Sequence, residues 1–345
     1  MHGAHAQILS AAEMSVALRL PGSTRQTVRD AIADGSLTKT FGPRGTVHLV
    51  PTADLGVWTG ALAALPTPRS AFADDVRMSA EQTADVVAAI SEALLEGELT
   101  VDELDREVVA RAGSWAGDPV MPAFQTFWPR WRQAVGAASH AGVLVFGADR
   151  GRKVTYVHPR RRDPTFAPAS REEALRAFLH GYLRAYGPAT PGHLARWLST
   201  SVEWCDSVLR AADVEEVSVD GEAMWVNAGD TTVPTPARSV RLLPYFDALS
   251  VGFAPREVMF PGYAAERALA RGQAGNYPVV VVDGAVQGVW HQRRAGRRVQ
   301  VTVETWGRFG AQRLRQLEEQ VARLGEVLEA EPVLALEPVR VGPHA

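Results

Sequence analysis

The stretch that decides the fold is residues 142–157, Gly-Val-Leu-Val-Phe-Gly-Ala-Asp-Arg-Gly-Arg-Lys-Val-Thr-Tyr-Val. It contains two apolar runs, Gly142–Phe146 and Val154–Val157, whose β-branched and aromatic residues favour strands. Between them, Asp149–Arg152 has the Asp and Gly residues that are typical of turns. The pattern predicts a β-hairpin with a cationic tip.

Three helices are predicted before this hairpin. In the first, four apolar residues recur at helical spacing: Val86, Val87, Ile90 and Leu94. The second begins at the capping sequence Thr100–Glu103. The third is expected from about Pro122 to Ala138, with an inner face of Phe127, Trp131, Val135 and Ala138. Three short helices closed by a hairpin are typical of a winged helix, which presents a helix and a hairpin tip to a nucleic-acid duplex.

The same plan recurs further along the chain. A helix that ends at Gly187-Pro188 is followed by two short helices, 191–198 and 202–209. A tight hairpin about Asp220-Gly221 then closes the unit, and its tip is acidic. This unit is therefore less suited to contact with phosphate.

The amino-terminal segment predicts a shorter version. Ser10 with Glu13 three residues later indicates a capping box, and the helix that follows is expected to turn Met14, Ala17, Leu18 and Leu20 inward. Pro21-Gly22-Ser23 breaks it, a second helix runs from Thr24 to about Ala33, and a hairpin turns at 42–45. Only two of the three expected helices precede this hairpin.

After about residue 236 the pattern changes to strands. Strands are predicted at 239–243, 277–282, 285–291 and 299–303, followed by an amphipathic helix from about Gly310 to Glu329. The predicted fold class is α+β, with tandem winged-helix units followed by a small antiparallel β barrel or sandwich and a C-terminal helix. The predicted domains are 1–66, 67–168, 169–236 and 237–345, the first three being winged helices.

Composition limits how this chain can contact nucleic acid. A net charge of −3 argues against binding through bulk charge, so contact must come from local clusters. The candidate DNA-binding residues are Arg44, Arg150, Arg152, Arg160, Arg161, Arg293, Arg294, Arg297 and Arg298. The competing interpretation is that these arginines are solvated surface residues.

Other sequence signals are negative. The one cysteine, Cys205, lies on an apolar helical face, and the sequence has neither Cys/His metal spacing nor an apolar span of membrane length. We expect no metal, no other cofactor and no membrane partner, and a cytoplasmic protein. Asp247 follows an aromatic pair at a strand end and could form a turn, anchor a neighbour or contact a nucleotide. His48, Trp128, Trp131, Trp197 and Trp225 have the spacing of core residues.

Five segments carry a resemblance to a known family: His5-Ala6-Gln7, Arg44–Pro51, Tyr186–Thr190, Leu243–Asp247 and Val282–Trp290. At these segments, which are spread over nearly the whole chain, the sequence resembles the AlkZ/YcaQ-type winged-helix DNA glycosylases. The resemblance implies removal of alkylated purines, including bulky N7-guanine adducts and interstrand crosslinks left by genotoxic natural products. Several family members protect the organism that makes the toxin.

The family's catalytic signature is Gln-x-Gln, and the matching positions here are His5 and Gln7. A His-x-Gln form is similar to members linked to trioxacarcin-type antibiotic self-resistance. The resemblance thus implies a monofunctional, monomeric glycosylase that acts on alkylated bases in double-stranded DNA, in base excision repair or toxin self-resistance. Without the family, His5 and Gln7 would be ordinary loop residues, and the alternative function is a non-catalytic DNA-binding regulator or lesion-shielding protein.

The chemistry of such a substrate suits this pair. An N7-alkylated guanine is already cationic, so it leaves C1′ as a neutral base without a general acid. The enzyme has to hold a water beneath C1′ and stabilise an oxocarbenium-like sugar. A glutamine carbonyl or an imidazole can accept a hydrogen bond from that water, and the imidazole can also take its proton.

Overall fold

The computed structural model describes residues 1–67, 72–123, 125–233, 235 and 238–342. It is a mixed α+β protein, as predicted. The chain divides into two compact units. The first unit comprises Met1–Asp34, Gly181–Trp197 and Asp213–Ala345, and the second comprises Gly35–His180 and Leu198–Ala212.

The described residues contain thirteen α-helices: α1 Leu9–Ala17, α2 Arg25–Ala33, α3 Leu55–Ala63, α4 Ala80–Glu96, α5 Val101–Ala112, α6 Val135–His140, α7 Arg171–Tyr186, α8 Pro191–Leu198, α9 Val202–Arg210, α10 Ala248–Gly252, α11 Arg256–Met259, α12 Tyr263–Ala268 and α13 Ala311–Leu328. Among the same residues are fifteen short strands: β1 Ala4–His5, β2 Leu37–Phe41, β3 Val47–Pro51, β4 Leu99–Thr100, β5 Pro119–Pro122, β6 Phe127–Pro129, β7 Val145–Phe146, β8 Thr155–Val157, β9 Val214–Val219, β10 Glu222–Asn227, β11 Val240–Leu243, β12 Val279–Val282, β13 Ala285–Ala295, β14 Arg298–Thr305 and β15 Glu331–Leu336.

The hairpin predicted within residues 142–157 is confirmed, although its strands β7 and β8 are shorter than predicted. Strands β7 and β8 pair antiparallel, with Val145 opposite Val157, and β8 also pairs with β4. The apolar faces of α4, α5 and α6 form the core beneath this sheet, and the buried members of that core include Ile90, Leu94 and Leu104. The predicted helices at α4 and α5 therefore exist because each has an apolar stripe to bury.

The third helix of this unit, predicted from about Pro122 to Ala138, is wrong in its first half. The chain there forms the hairpin β5–β6, a 3-10 helix follows over Arg130–Ala134, and the α-helix begins at Val135. Pro122 and Pro129 explain the difference, because proline disfavours the helical conformation of the residue before it. Phe127 and Trp128 are consequently 57% and 45% exposed and not core residues. Phe124 lies outside the described residues.

The start of the amino-terminal helix also differs from the prediction. Helix α1 begins after Ile8, and no side chain caps it, so the predicted Ser10–Glu13 capping box is wrong. Leu20 is 51% exposed and lies beyond the helix. The capping box of this region is at α2, where Thr24 and Thr27 satisfy one another's backbone N–H groups.

The carboxyl-terminal strands form one open sheet in the order β11-β12-β13-β14-β15. In the described part of the chain its edge strands β11 and β15 do not pair, so the predicted barrel or sandwich is wrong. Strand β15 was not predicted. It lies parallel to β14 after helix α13, and Pro332 is tolerated there because β15 is an edge strand.

The helices α7, α8 and α9 and the hairpin β9–β10 occur where the sequence predicts them. The hairpin turns at Asp220 and Gly221, which both have positive φ, as a type I′ turn requires. The predicted boundary between residues 236 and 237 lies outside the described residues. The division into four domains stays a prediction.

Candidate active site

The two predicted catalytic residues lie in the segment that leads into α1. His5 is in strand β1 and is 8% exposed, whereas Gln7 lies in the following turn and is exposed. The imidazole of His5 stacks on the ring of Phe246, with centroids 5.6 Å apart and planes inclined by 19°. The structure thus places the imidazole of His5 against an aromatic ring and Gln7 at an exposed position.

Helix α1 begins directly after this segment. Its first turn contains no acidic residue, and Ile8 at its N-cap position provides no hydrogen-bonding side chain. The helix dipole therefore places partial positive charge at the end nearest Gln7. A neutral amide is compatible with that position, whereas a cationic side chain would be repelled.

Asp247 holds α1 in place. Its carboxylate is fully buried and accepts hydrogen bonds from the Ser15 hydroxyl at 2.6 Å and from both terminal nitrogens of Arg19 at 2.8 Å. It also accepts from the backbone N–H of Leu249 at 3.0 Å, which caps α10. Of the three roles that the sequence left open, Asp247 forms a turn and anchors a neighbour. With four donors on two oxygens, it has no remaining capacity to act as a base.

The pairing with Asp247 raises the pKa of the Arg19 guanidinium. Burial by itself lowers the pKa of Arg19, but the charge of Asp247 and its hydrogen bonds outweigh that effect and raise the pKa above the ordinary value. The pair is bidentate, the geometry in which arginine and carboxylate bind most strongly. Arg19 is thus a fixed cation that neutralises the buried Asp247.

Two further sets of contacts fix α1. Glu13 is 3% exposed and is paired with Arg25 at 2.6 Å and Arg29 at 2.9 Å, both on α2. Arg323 of α13 donates to the backbone oxygens of Ala17, Leu20 and Ser23 at the end of the helix, at 2.7 to 2.9 Å. Glu13, which is part of α1, and Asp247, which contacts α1, are therefore both paired with arginine.

Two of the candidate DNA-binding arginines cap helices instead of projecting freely. Arg161 donates to the carbonyls of Leu95 and Glu96 at the end of α4. Arg294 donates to those of Leu328 and Glu329 at the end of α13. The last carbonyls of a helix have no partner within it, and a guanidinium satisfies them and complements the dipole.

Four more candidates also have contacts within the protein. Arg150 is paired with Glu103 at 3.0 Å and Arg298 with Glu331 at 3.1 Å. Arg160 donates to the carbonyl of Phe166, and Arg293 lies 3.4 Å from the side-chain oxygen of Gln300. All four arginines are exposed, so these contacts compete with water and with any phosphate.

Arg44, Arg152 and Arg297 are the remaining candidates, and each is exposed in a turn. Arg297 lies in the two-residue turn Gly296-Arg297 between β13 and β14. Gly296 has φ +62°, as the first position of a tight hairpin turn needs. The turn therefore places the Arg297 side chain at the hairpin tip.

The two lysines are both engaged. Burial lowers the pKa of Lys39, whose ammonium lies 4.5 Å from the centre of the Phe146 ring. Lys153 pairs with Asp102 at 2.7 Å.

Among the described residues, no cluster of His, Cys, Asp or Glu side chains is arranged to hold a metal ion. Within that same part of the chain, no helix is long and apolar enough to span a bilayer.

Sequence reasoning missed Phe246, Ser15 and Arg19. The segment Leu243–Asp247 was noticed as a motif, but its partners lie about 230 positions away, and no periodicity connects them. Residue type alone gave a weak signal, because an acidic residue after two aromatics at a strand end is unusual for a simple loop.

Comparison with known proteins identifies the class of the chain. A family model described as DNA glycosylase AlkZ-like matches residues 1–327, and the chain belongs to this family. The protein is therefore a DNA glycosylase of DNA repair, which rules out the non-catalytic alternative.

One curated relative is an interstrand DNA cross-link repair glycosylase from Streptomyces sahachiroi. It is 29% identical over 306 residues, which cover 84% of this chain and 79% of the relative. A similar solved structure is the DNA glycosylase AlkZ of the same organism, with a TM-score of 0.80 and 26% identity. That similarity covers 96% of this chain and 91% of the solved one.

Proposed function

We propose that this glycosylase hydrolyses the N-glycosidic bond of alkylated purines in double-stranded DNA, with bulky N7-guanine adducts as its main substrates. It does so as a monomer built of tandem winged-helix units, in base excision repair or toxin self-resistance. The observation that carries the proposal is the pairing of two buried carboxylates, one on α1 and one in contact with Ser15 of α1, the helix that follows the His5–Gln7 segment. Glu13 and Asp247 are both buried and paired with arginine.

The pairing of Asp247 and Glu13 with arginine favours a leaving group that needs no general acid. A neutral base such as uracil leaves C1′ as an anion and needs a donor or strong electrostatic help. An N7-alkylguanine leaves as a neutral molecule and needs neither. A site with an amide, an imidazole and paired carboxylates is therefore matched to a cationic base.

Water is the proposed nucleophile. The exposed amide of Gln7 can accept a hydrogen bond from it, and the imidazole of His5 can accept its proton. Lys39 and Lys153, the two lysines, are respectively covered by Phe146 and paired with Asp102. The product is then an intact strand with an abasic site.

A bulky adduct is favoured over a methyl group because the Streptomyces sahachiroi relative is an interstrand DNA cross-link repair glycosylase. A residue pair that positions water places no limit on the size of the alkyl group. Crosslinks are accordingly included in the proposed range.

The experiment is a product-release assay on matched duplexes that contain one N7-methylguanine, one bulky N7-guanine adduct or one uracil, followed by mild alkali to cleave abasic sites. We expect release of both N7-alkylguanines, no release of uracil, and no strand break before alkali. Borohydride added during turnover should trap no protein–DNA adduct. Release of uracil at a similar rate, or a trapped adduct, would contradict the proposed chemistry.

We also propose that the exposed arginines contact phosphate, above all Arg297 at the tip of the β13–β14 hairpin together with Arg293. Replacing both with alanine should weaken binding to damaged and undamaged duplex alike and reduce the salt dependence by roughly one to two units of slope. Replacing Arg294, which caps α13, is the matched control, because its loss should lower stability instead. An unchanged salt slope in the double variant would return Arg293 and Arg297 to ordinary surface residues.

A further inference from the structure

We propose that Phe246 is a positioning residue for excision: its ring fixes the plane of the His5 imidazole, and the Asp247–Arg19–Ser15 contacts hold both rings in that arrangement. This inference rests on the proposed function of His5 and Gln7. The proposed role of Phe246 requires no contact of its own with water or DNA. It acts through His5.

The stack determines what the imidazole can do. The ring centroids are 5.6 Å apart, the two planes are inclined by only 19°, and His5 is 8% exposed, so the imidazole is enclosed with its plane nearly parallel to that of Phe246. With one face covered, hydrogen bonds are restricted to the ring edge, where both nitrogens lie. A ring fixed in this way can meet a water in one orientation without losing further rotational freedom.

Phe246 adopts a conformation that phenylalanine does not choose by itself. Its φ is +46°, in the left-handed region, which is unfavourable for a residue with a Cβ atom. The backbone N–H of Phe246 donates to the carbonyl of Gly275 at 3.0 Å. A Cβ atom on Gly275 would lie 2.9 Å from the Phe246 ring, so the glycine leaves the space that the ring needs. Strained residues that their surroundings hold in place are found at functional sites.

Both members of the stack are tied to the same ion pair. Asp247 is the next residue after Phe246, and its carboxylate holds Ser15 of α1 and Arg19, which lies two residues beyond the end of that helix. His5 precedes the first residue of α1 by four positions. Any movement of α1 relative to Asp247 therefore changes the contact between His5 and Phe246. A buried, fully bonded carboxylate is suited to this task because it cannot shift without losing several charged hydrogen bonds.

The test is a double-mutant cycle between Phe246 and His5, measured as the single-turnover rate of N7-alkylguanine release with enzyme in excess. Phe246→Leu should slow release by about 10-fold or more, in line with the cost of misplacing a reacting group. Phe246→Tyr, which keeps a planar ring, should stay within about 2-fold of the parent. In a His5→Ala background, Phe246→Leu should have no further effect, because the ring that it positions is absent.

Three outcomes would overturn the inference. The first is a parental rate in Phe246→Leu, and the second is equal slowing by Phe246→Leu with and without His5. The third is a Phe246→Tyr rate as low as that of Phe246→Leu. Should the leucine protein fail to fold, Phe246→Met, which fills the volume without a flat face, replaces it in the same cycle. A parental rate in His5→Ala alone would instead contradict the proposed role of His5.

Discussion

Helices α1 and α5 are similar in length, but they are held in opposite ways. Helix α5 is stabilised by its own sequence. Thr100 and Glu103 form a reciprocal capping box at its start, Arg111 lies in its last turn, and Leu104 and Val108 are fully buried. Helix α1 has no side-chain cap and no charged residue in its first or last turn that favours the dipole.

Helix α1 depends on distant partners instead. Asp247 binds Ser15 and Arg19, which lie about 230 positions away in the sequence. Arg323 donates to the carbonyl of Ala17, the last residue of α1, from about 300 positions away. The uncapped helix is the one that directly follows the candidate catalytic pair. The start of α1 has no side-chain cap, and distant charged residues hold the helix in place. This arrangement suits a site in which the first turn of a helix faces a ligand.

The largest effect that separates the two helices should come from Asp247→Asn. The change removes the charge that faces Arg19, whose side chain is 32% exposed, so the loss should be near the lower end for a broken buried pair, roughly 3 kcal/mol. Excision should also slow by at least about 10-fold because α1 is no longer fixed. Urea unfolding and single-turnover release measure the two effects.

Asp283→Asn is the matched control for this variant. Asp283 also pairs with an arginine, Arg313, in the same unit, but its side chain is 36% exposed. The cost should be about 1 kcal/mol or less, with an unchanged excision rate. Equal stability losses in the two variants would mean that the Asp247 contacts are no more important than a surface ion pair.

A smaller effect is expected from Thr100→Ala at α5. Loss of the N-cap oxygen should lower stability by about 1 kcal/mol. Excision should be unaffected, because α5 is fixed locally and contributes no residue to the candidate site. A rate that falls along with stability would show that the two helices are not separable in this way.

The smallest effect concerns pH. The hydrogen bond from the Thr100 backbone, with further help from the Thr100 side chain and Arg150, lowers the pKa of Glu103 below its ordinary value of 4.5. A lowered pKa means that this carboxylate stabilises the fold above about pH 4.5 and that the contribution is lost as the pH falls through the folded-state value. The unfolding midpoint should therefore drop less in acid for Glu103→Gln than for the parent. Identical acid dependence would assign the effect to other carboxylates.

The same contrast explains how far the sequence could be interpreted. Helix α5, the β7–β8 hairpin and the Asp220-Gly221 turn were predicted because their determinants lie within a few residues of one another. Strand β15 was missed because its pairing with β14 depends on the helix between them. The helix expected from Pro122 was wrong because the apolar spacing indicates a helix, whereas Pro122 and Pro129 disfavour one.

For the site, His5 and Gln7 came from a family resemblance and not from spacing. Arg161 and Arg294 stay predicted DNA-binding residues, and their guanidiniums also satisfy helix carbonyls within the protein. Nothing local distinguishes an arginine that caps a helix from one that meets a phosphate. The contacts of Phe246 and Asp247 could not be predicted, since they join segments separated by most of the chain.

The most direct measurement is the single-turnover release of N7-alkylguanine by Gln7→Ala, with Ser10→Ala as the matched control in the exposed first turn of α1. The account predicts that Gln7→Ala slows release by roughly 10²- to 10⁴-fold, the range for a positioned proton acceptor, with DNA affinity little changed. Ser10→Ala, which removes no capping hydrogen bond, should keep the parental rate. Release by Gln7→Ala at the parental rate would contradict the claim that this segment carries the chemistry.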